Sequence, residues 1–369
     1  MPRFYADLVH APALERITVK GYRSLVDVSV PVSRVTVVQG GNGSGKSNLY
    51  RALGLAVAAA DGTLAHRVAA EGGMGSLLWA GPRRKGPRRV EVQVQWSDVR
   101  YTLVLGLPQT VGDDPFPLDP EVKSEVIELA AGGRWLPAAE RTNTSAMMRD
   151  SEGRRVVFGF ELWRGESMLT QIRDPLEFAV AADVQARLLQ WRLYHEFRTG
   201  SDAPARTPQL GVRTPQLALD GADLAAAYAT IWHVGGVAEF QERVAAAFDG
   251  ARVSHSVDES GRFTLFLDTG LARPLAAAEL SDGTLRYLCL LTALSSPRPA
   301  TLVAVNEPET SLHPQLLPPL AEMLAGGAGD SQIWVTTHSA ELADHLAAAG
   351  DDVVVHRLTR QGGETQIIR

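Results

Sequence analysis

The chain has 369 residues, enough for about two domains, and its apolar fraction of 45% and charged fraction of 21% argue against disorder. A formal net charge of −6 argues against a generally basic nucleic-acid binder, and the single cysteine, Cys289, excludes a disulfide framework or a cysteine-rich zinc site. Because no apolar run approaches a membrane span and residues 1–7 lack a signal-peptide core, we expect a cytoplasmic protein without a membrane partner.

The first elements frame a glycine-rich loop. Residues 14–20, 25–30 and 34–39 are predicted strands, and residues 48–56 are a predicted helix. Between the third strand and the helix lies Gly40-Gly41-Asn42-Gly43-Ser44-Gly45-Lys46-Ser47, which matches the pattern Gly, any four residues, Gly-Lys-Ser. In this context the pattern predicts a phosphate-binding loop, because its backbone N–H groups and the helix start attract phosphate oxygens. We predict that Lys46 reaches the β- and γ-phosphates and that the Ser47 hydroxyl binds Mg²⁺.

The next part is predicted to be mainly antiparallel. Residues 61–81 are interpreted as a loose connection. A run with five cations at 81–89 is interpreted as a solvated loop, with contact to a nucleic-acid backbone as the alternative. Residues 90–95 and 101–105 are predicted to form a hairpin, and residues 111–120 a loop. Further strands are predicted at 122–129, 134–136 and 155–160.

From about residue 175 the apolar spacing becomes helical. His195 extends the first of three stripes by one turn, and we interpret it as a core or lining residue. A hairpin is predicted at 252–257 and 262–267, and a helix at 285–294 follows the capping residues Ser281 and Asp282. The three stripes are Val184, Leu188 and Trp191; Leu224, Tyr228 and Ile231; and Phe240, Val244 and Phe248.

The last part alternates short apolar strands, at 302–305, 333–337 and 353–358, with helices at 316–324 and 341–348, and a possible edge strand closes it at 365–368. Such strands suit a parallel sheet covered on both faces. The first strand ends at Asn306-Glu307, where Glu307 is the candidate general base. The second ends before His338, a candidate partner of a γ-phosphate. The alternative is that both are ordinary polar residues at strand ends.

Together, residues 20–25, 40–47, 280–286, 307–314 and 337–339 resemble the motifs of ABC-type ATPases. They resemble in particular the branch of SMC, RecF-like and overcoming-lysogeny-defect ATPases, within the AAA family, and in that branch the bacterial "predicted ATPases" of the RecF-like kind most of all. It implies an α/β P-loop NTPase fold, similar to ABC and SMC heads, with a mixed sheet, an antiparallel β segment and a helical lobe. Residues 1–172 plus 298–369 would form the nucleotide-binding lobe, and residues 173–297 the helical lobe with the hairpin and the signature helix.

The same resemblance implies a homodimer that forms on binding ATP and Mg²⁺. Residues 40–47, Asn48 and Arg23 of one copy would hold the nucleotide, and Ser281 and Gly283 of the other copy would cap its γ-phosphate. Glu307 would activate water and His338 would be the switch histidine. Mg²⁺ would be held by Ser47, Asn306 and Gln171, with Gln93 and Gln95 as alternatives to Gln171.

Two departures from the family pattern shape the expected function. Asn306 stands where the family usually has Asp, and losing charge assistance costs about 1–2 kcal/mol per hydrogen bond, so we expect slow turnover. Heptad-patterned arms are absent from the sequence, and the short remainder after His338 leaves no room for a nuclease domain, so we do not expect DNA cleavage.

Two functions fit this sequence. One is an ATPase that acts on DNA in repair or genome maintenance, supported by the resemblance and by the basic run. The other is a regulatory ATP-dependent dimer that controls a separately encoded effector protein, such as a nuclease or toxin in phage defence. The negative net charge and Asn306 favour the second modestly. A transporter ATPase is disfavoured by the long antiparallel insertion and by the signature sequence Leu-Ser-Asp-Gly-Thr.

Overall fold

The computed structural model describes residues 12–82, 88–108, 115–327 and 331–368. The N-terminal residues 1–7, the centre of the basic run at 83–87 and residues 111–114 of the predicted loop lie outside the described residues. In the described ranges, no helix is both long enough and apolar enough to cross a bilayer.

The strands, in chain order, are β1 (Leu14–Tyr22), β2 (Leu25–Pro31), β3 (Val35–Gly40), β4 (Arg89–Trp96), β5 (Val99–Gly106), β6 (Glu121–Ala131), β7 (Arg134–Thr142), β8 (Ser145–Arg149), β9 (Arg155–Val157), β10 (Trp191–Tyr194), β11 (Gln209–Leu210), β12 (Arg252–Val257), β13 (Arg262–Asp268), β14 (Leu275–Ala276), β15 (Leu302–Asn306), β16 (Gln332–Thr337), β17 (Val353–Gln361) and β18 (Glu364–Ile368).

The α-helices are α1 (Lys46–Asp61), α2 (Leu64–Ala70), α3 (Met74–Leu77), α4 (Met168–Gln171), α5 (Ala179–Leu189), α6 (Leu224–His233), α7 (Val237–Ala247), α8 (Asp282–Leu294), α9 (Leu317–Gly326) and α10 (Ala340–Ala349). Short 3-10 helices occur at Pro204–Arg206, Ala277–Glu279 and Pro314–Leu316.

The chain divides into two compact units. The first comprises Met1–Ser33, Gly40–Trp191 and His356–Arg369, and the second comprises Arg34–Gln39 and Arg192–Val355. The predicted lobes have other boundaries, since they keep residues 298–369 in one piece. The compact units are defined by packing and the predicted lobes by their roles in nucleotide binding and dimer formation, so the lobe boundaries stay a prediction.

An antiparallel sheet dominates the first unit, in the strand order β2-β1-β4-β5-β6-β7-β8-β9. Alternating apolar residues of β4, such as Val90, Val92 and Val94, are buried, and α1 packs on β1 and β4. The predicted antiparallel segment is confirmed. Strand β8 was not predicted, because its three central residues are buried in succession. The alternation of apolar and polar residues that marks a half-buried strand is therefore missing.

Three parallel strands form the centre of the second unit, in the order β15-β16-β3, and β10 is the neighbour of β15 on the other side. Val305 pairs with Val335, and Val335 pairs with Val37, in a parallel register. Nearly every residue of these strands is buried, as expected for a sheet covered on both faces. Helices α6, α7 and α9 contact α8, and β11, β13 and β12 form a smaller antiparallel sheet.

Three local predictions are wrong. The first helical stripe does not reach Trp191, because α5 ends at Leu189 and Trp191 begins β10. Trp191 is buried beside Trp96, with ring centroids 6.1 Å apart. It was assigned to the helical stripe because this buried strand residue happens to follow Leu188 at a helical spacing. His195 lies after β10 and is exposed, so it is not a core residue. The supposedly loose residues 61–81 contain α2 and α3.

Candidate functional site

The glycine-rich loop joins β3 to α1, as the sequence predicts. Gly43 and Gly45 have φ angles of 76° and 108°, in the left-handed region that favours glycine. A Cβ on Gly45 would also lie 2.1 Å from Thr365 Oγ1. Gly45 is therefore required both for its backbone conformation and for the space it leaves.

Hydroxyl groups form a hydrogen-bond network with the backbone and side chains of this loop. Thr365 Oγ1, on β18, donates a hydrogen bond to Ser44 O (2.8 Å) and lies 2.8 Å from Ser24 Oγ. Asn48 Nδ2 donates to the same Ser24 Oγ at 2.9 Å. Asn48 thus contributes to the shape of the loop. Thr365 was missed by sequence reasoning, and no local pattern could have found it because it lies far along the chain from the loop.

Lys46 is buried within the loop, with 4% of its surface exposed. Its Nζ donates hydrogen bonds to Gly40 O (2.7 Å) and Gly41 O (3.0 Å). A Cβ added to Gly41 or Gly43 would meet no atom within 4 Å, so this side of the loop is open to a ligand. The ammonium group is positioned to contribute positive charge at the loop.

A cavity of about 370 Å³ adjoins the loop in the first unit. Gly43, Gly45, Lys46, Ser47 and Asn48 line one side, and Arg23, Trp79 and Arg360 are among its other lining residues. Arg23 has a φ of 50° in the turn between β1 and β2, and its Nη2 lies 3.2 Å from Glu71 Oε2. Since cations and glycine backbone surround the cavity, a phosphate chain fits it.

A second group of polar residues lies where the parallel strands of the second unit end. Asn306 pairs with Thr336, and Thr337 pairs with Gln39, so β15, β16 and β3 end at one edge. Thr336 Oγ1 donates a hydrogen bond to Asn306 Oδ1 at 2.7 Å. Glu307 follows with a φ of 46°, a conformation that is costly for a residue other than glycine and is common at functional sites.

Glu309 contacts His338, one of the two predicted catalytic side chains in this group, which we call the carboxylate–histidine cluster (Glu307, Glu309 and His338). His338 Nδ1 lies 3.8 Å from Glu307 Oε2 and 3.2 Å from Glu309 Oε1. Glu309 Oε1 also accepts hydrogen bonds from Thr337 Oγ1 (2.5 Å) and from the His338 N–H (3.1 Å). Glu309 therefore fixes the histidine at the end of β16. Sequence reasoning missed it, although it lies two residues after Glu307.

The start of α8 packs on the loop that follows Glu307. Ser281 caps the helix by accepting a hydrogen bond from Thr284 N at 3.1 Å. A Cβ on Gly283 would lie 2.4 Å from Ser311 O, so only glycine permits this approach. Arg286 Nη2 donates to Glu307 O at 3.3 Å. Burial lowers the pKa of Arg286, while nearby glutamates act in the opposite direction.

Gln171 is held by backbone groups of its own neighbourhood. Its Oε1 accepts a hydrogen bond from Trp163 N (2.7 Å), and its Nε2 donates to Trp163 O (3.2 Å) and Glu166 O (3.1 Å). These bonds fix the orientation of the amide, and the role of Gln171 in binding Mg²⁺ stays a prediction. The alternative Gln93 donates to Thr102 Oγ1 at 3.0 Å.

A metal-binding cluster of protein side chains would be built from His, Cys, Asp and Glu. Within the described parts of the chain, no three such side chains are grouped so as to hold a metal ion. Magnesium ions at phosphate sites commonly take most of their ligands from phosphates and water, with one or two protein oxygens. The Ser47 hydroxyl at the cavity wall suits that kind of site.

Comparison with known proteins identifies the fold and the family. A family model described as "AAA domain, putative AbiEii toxin, Type IV TA system" matches residues 160–344, half of the chain. The matched stretch includes α8 and the carboxylate–histidine cluster, whereas the phosphate loop precedes it. No curated protein matches the sequence.

Solved structures of SMC heads share the fold. An SMC head bound to the C-terminal winged-helix domain of ScpA has 16% identity and a TM-score of 0.53, with 97% of each chain covered. An SMC head with an extended coiled coil, bound to the C-terminal domain of ScpA from Pyrococcus furiosus, has 14% identity and a TM-score of 0.52, with 97% of this chain and 96% of that chain covered. The predicted SMC-head-like P-loop NTPase fold is confirmed.

Proposed function

The chain belongs to this AAA-domain family, and on that premise we propose that it binds ATP with Mg²⁺ and hydrolyses ATP slowly. The observation that carries the proposal is the phosphate loop, with its left-handed glycines, its buried Lys46 and the adjoining cavity. The loop supplies backbone donors and positive charge to a nucleoside triphosphate.

In the proposed reaction the chain's residues have separate roles. Residues 40–48 bind the phosphates, and Arg23 and Lys46 neutralise their charge. Ser47 and Asn306 would supply oxygen atoms to Mg²⁺, with Gln171 as a further candidate. When bound, the metal ion neutralises charge on the transferred phosphoryl group. Glu307 would take the proton of the water that attacks the γ-phosphorus, and ADP would leave as the bond between the γ-phosphorus and its bridging oxygen breaks. His338, positioned by Glu309, would contact the γ-phosphate.

Slow turnover is proposed because of Asn306. Its Oδ1 accepts a hydrogen bond from Thr336, and a second lone pair remains for a water on Mg²⁺. A neutral amide holds such a water less strongly than a carboxylate does. ATP would then act more as a dimerisation switch than as a fuel.

We further propose that two copies dimerise around ATP, with Ser281 and Gly283 of one copy capping the γ-phosphate held by the other. Support comes from the family resemblance, from the exposed side chains of Ser281 and Ser311, and from the close approach of Gly283 to Ser311 O on the second unit.

Size-exclusion chromatography with light scattering tests the dimer. The Glu307→Gln variant should have the mass of a dimer with ATP and Mg²⁺, and that of a monomer with ADP. Lys46→Ala is the matched control and should remain monomeric with either nucleotide. A Glu307→Gln variant that stays monomeric while saturated with ATP would contradict the proposed dimer.

Action on DNA in repair or genome maintenance is the first proposed role. It is supported by the family resemblance and by the basic run at 81–89, whose residues Arg88 and Arg89 lie in the described part of the chain. DNA binding measured with and without ATP at several salt concentrations tests it. Binding should require ATP and should weaken steeply with salt, because contacts to phosphates release counterions. Equal binding with and without ATP would contradict this role.

Control of a separately encoded effector protein in the cytoplasm is the second candidate. The family description names a toxin of a toxin–antitoxin system, which favours this role, as does the neutral Asn306. A partner that co-purifies with the Glu307→Gln protein in ATP, and is absent from Lys46→Ala preparations, would support it. Recovery of the same partner with both variants would show that ATP does not control the association.

A further inference from the structure

The cavity beside the phosphate loop has a wall that phosphate binding does not use. This wall includes Ser76, Leu78, Trp79 and Arg360, together with the turn Gly362–Gly363. All of these residues lie in the first unit, as the loop does. The cavity volume of about 370 Å³ is within the range of sites that hold whole small molecules. The cavity is therefore lined both by residues of the phosphate loop and by an aromatic side chain.

The backbone around Trp79 is fixed to the turn that carries Arg23. Trp79 N donates a hydrogen bond to Gly21 O (2.9 Å), and Arg23 N donates to Leu77 O (2.8 Å). Tyr22 and Leu78 form an antiparallel bridge between these bonds. The position of the tryptophan relative to the Arg23 turn is thus set by main-chain hydrogen bonds.

The indole ring is also held in place. Its Nε1 donates a hydrogen bond to Pro82 O at 3.2 Å. A Cβ on Gly81 would lie 1.9 Å from Trp79 Cζ2, so the ring occupies space that only glycine leaves. A Cβ on Gly363 would lie 3.5 Å from Cη2, an ordinary contact distance. The ring is half-buried and forms part of the cavity wall.

Arg360 provides a planar cation on the same wall. Its Nε donates a hydrogen bond to Gly363 O at 3.0 Å, which holds the guanidinium group near the glycine turn. Aromatic rings and guanidinium planes are the surfaces on which proteins stack nucleobases. A molecule with phosphates at one end and a flat base at the other matches the two sides of the cavity.

We propose that Trp79 binds the base of the nucleoside triphosphate whose phosphates lie on residues 40–47. This inference rests on the proposed function and deepens it, since it assigns the second half of the same ligand. The indole supplies a stacking surface, and Arg360 supplies a neighbouring cationic surface. Trp79 is then the residue that distinguishes a nucleotide from a bare phosphate chain.

Calorimetric titration with two ligands, ATP and inorganic tripolyphosphate, tests the assignment. Trp79→Ala should weaken ATP binding about tenfold to a hundredfold, the loss typical of one stacked base, and Trp79→Phe should weaken it less. Both variants should bind tripolyphosphate within twofold of wild type. Trp163→Ala, which removes an exposed tryptophan outside this cavity, is the matched control and should bind both ligands normally.

The outcomes separate the inference from the function on which it rests. If Trp79→Ala binds ATP as tightly as wild type while Lys46→Ala loses both ligands, the inference is overturned and ATP binding stands. If Trp79→Ala weakens both ligands equally, Trp79 supports the loop and does not bind the base. If wild type binds neither ligand, the proposed function fails first. Trp79→Phe preserves an aromatic ring and keeps the test valid if the alanine variant misfolds.

Discussion

The phosphate loop and the carboxylate–histidine cluster are built from different groups. The loop is held by backbone conformation and by the neutral hydroxyls of Ser24 and Thr365. In the cluster, Glu309 is held by hydrogen bonds from Thr337 and the His338 backbone, and its carboxylate lies beside the His338 ring. Carboxylates thus take part directly in the geometry of the cluster, whereas the loop contains one charged contributor, Lys46, and otherwise depends on backbone groups and neutral side chains.

This difference separates binding from reaction. A loop made of backbone donors is in place before the ligand arrives and suits tight binding of phosphates. A cluster with carboxylates and a histidine suits proton transfer. We therefore expect substitutions in the cluster to affect hydrolysis strongly and substitutions behind the loop to have small effects.

The largest effect is expected for Glu307→Gln. Loss of the general base should lower kcat by about 10²- to 10⁴-fold. The dissociation constant of ATP should change little, because the phosphate loop is intact. Phosphate release and ATP titration on the same preparation measure both quantities. A comparable loss of ATP affinity would show that Glu307 belongs to the binding machinery. It would contradict the separation of binding in the loop from reaction in the cluster.

Glu309 should have the next largest effect. Glu309→Ala leaves buried donors unpaired, so it should lower the free energy of unfolding by about 1–3 kcal/mol. With His338 no longer held, kcat should fall about tenfold, equivalent to about 1.4 kcal/mol of barrier. Glu309→Gln retains an oxygen acceptor and should restore most of the stability. If Glu309→Ala destabilises the protein but leaves kcat unchanged, Glu309 does not position the histidine.

Asn306→Asp tests the proposed cause of slow turnover. A carboxylate at this position should strengthen the hold on a water bound to Mg²⁺ by about 1–2 kcal/mol. Hydrolysis should then rise about 5- to 30-fold, and less Mg²⁺ should be needed for half-maximal rate. Asn306→Ala is the control and should show neither gain. Unchanged rate and Mg²⁺ dependence in Asn306→Asp would refute this explanation.

The smallest effect on ATP binding and stability is expected for Thr365→Val, on the strand β18 that contacts the loop. The exchange nearly preserves shape and removes the hydroxyl that donates to Ser44 O. The net loss of one hydrogen bond should cost about 1 kcal/mol of folding stability and weaken ATP binding by less than about tenfold. Thr365→Ser keeps the hydroxyl and should bind ATP normally. A complete loss of ATP binding in Thr365→Val would show that the loop needs the Thr365 hydroxyl to keep its conformation. It would contradict the small effect expected for this substitution.

The parts of the site that the sequence revealed are those with a short, local pattern. The loop is recognisable because its glycines, Lys46 and Ser47 stand together between a strand and a helix. Glu307 and His338 were predicted because each follows a buried strand. Glu309 and Thr365 were missed because their importance comes from partners far away along the chain, such as His338 and Ser44.

The fold shows the same limit. Regular apolar periods predicted the antiparallel segment and the parallel strands. The end of α5 was misplaced because Trp191, buried in a strand, coincided with a helical spacing. Strand β8 was missed because its buried residues are consecutive. In each case packing against another element decided the local structure.

The contact between Ser24 and Thr365 also has a consequence for synthesis of the protein. The two residues are 341 positions apart. At about 5–20 residues per second, a ribosome needs roughly 17 to 70 seconds to add the intervening chain. During that time the glycine-rich loop has emerged without β18 behind it. A nascent chain therefore cannot complete the contacts of its glycine-rich loop until β18 has been synthesised, and contacts of such long range are expected to make this unit fold slowly.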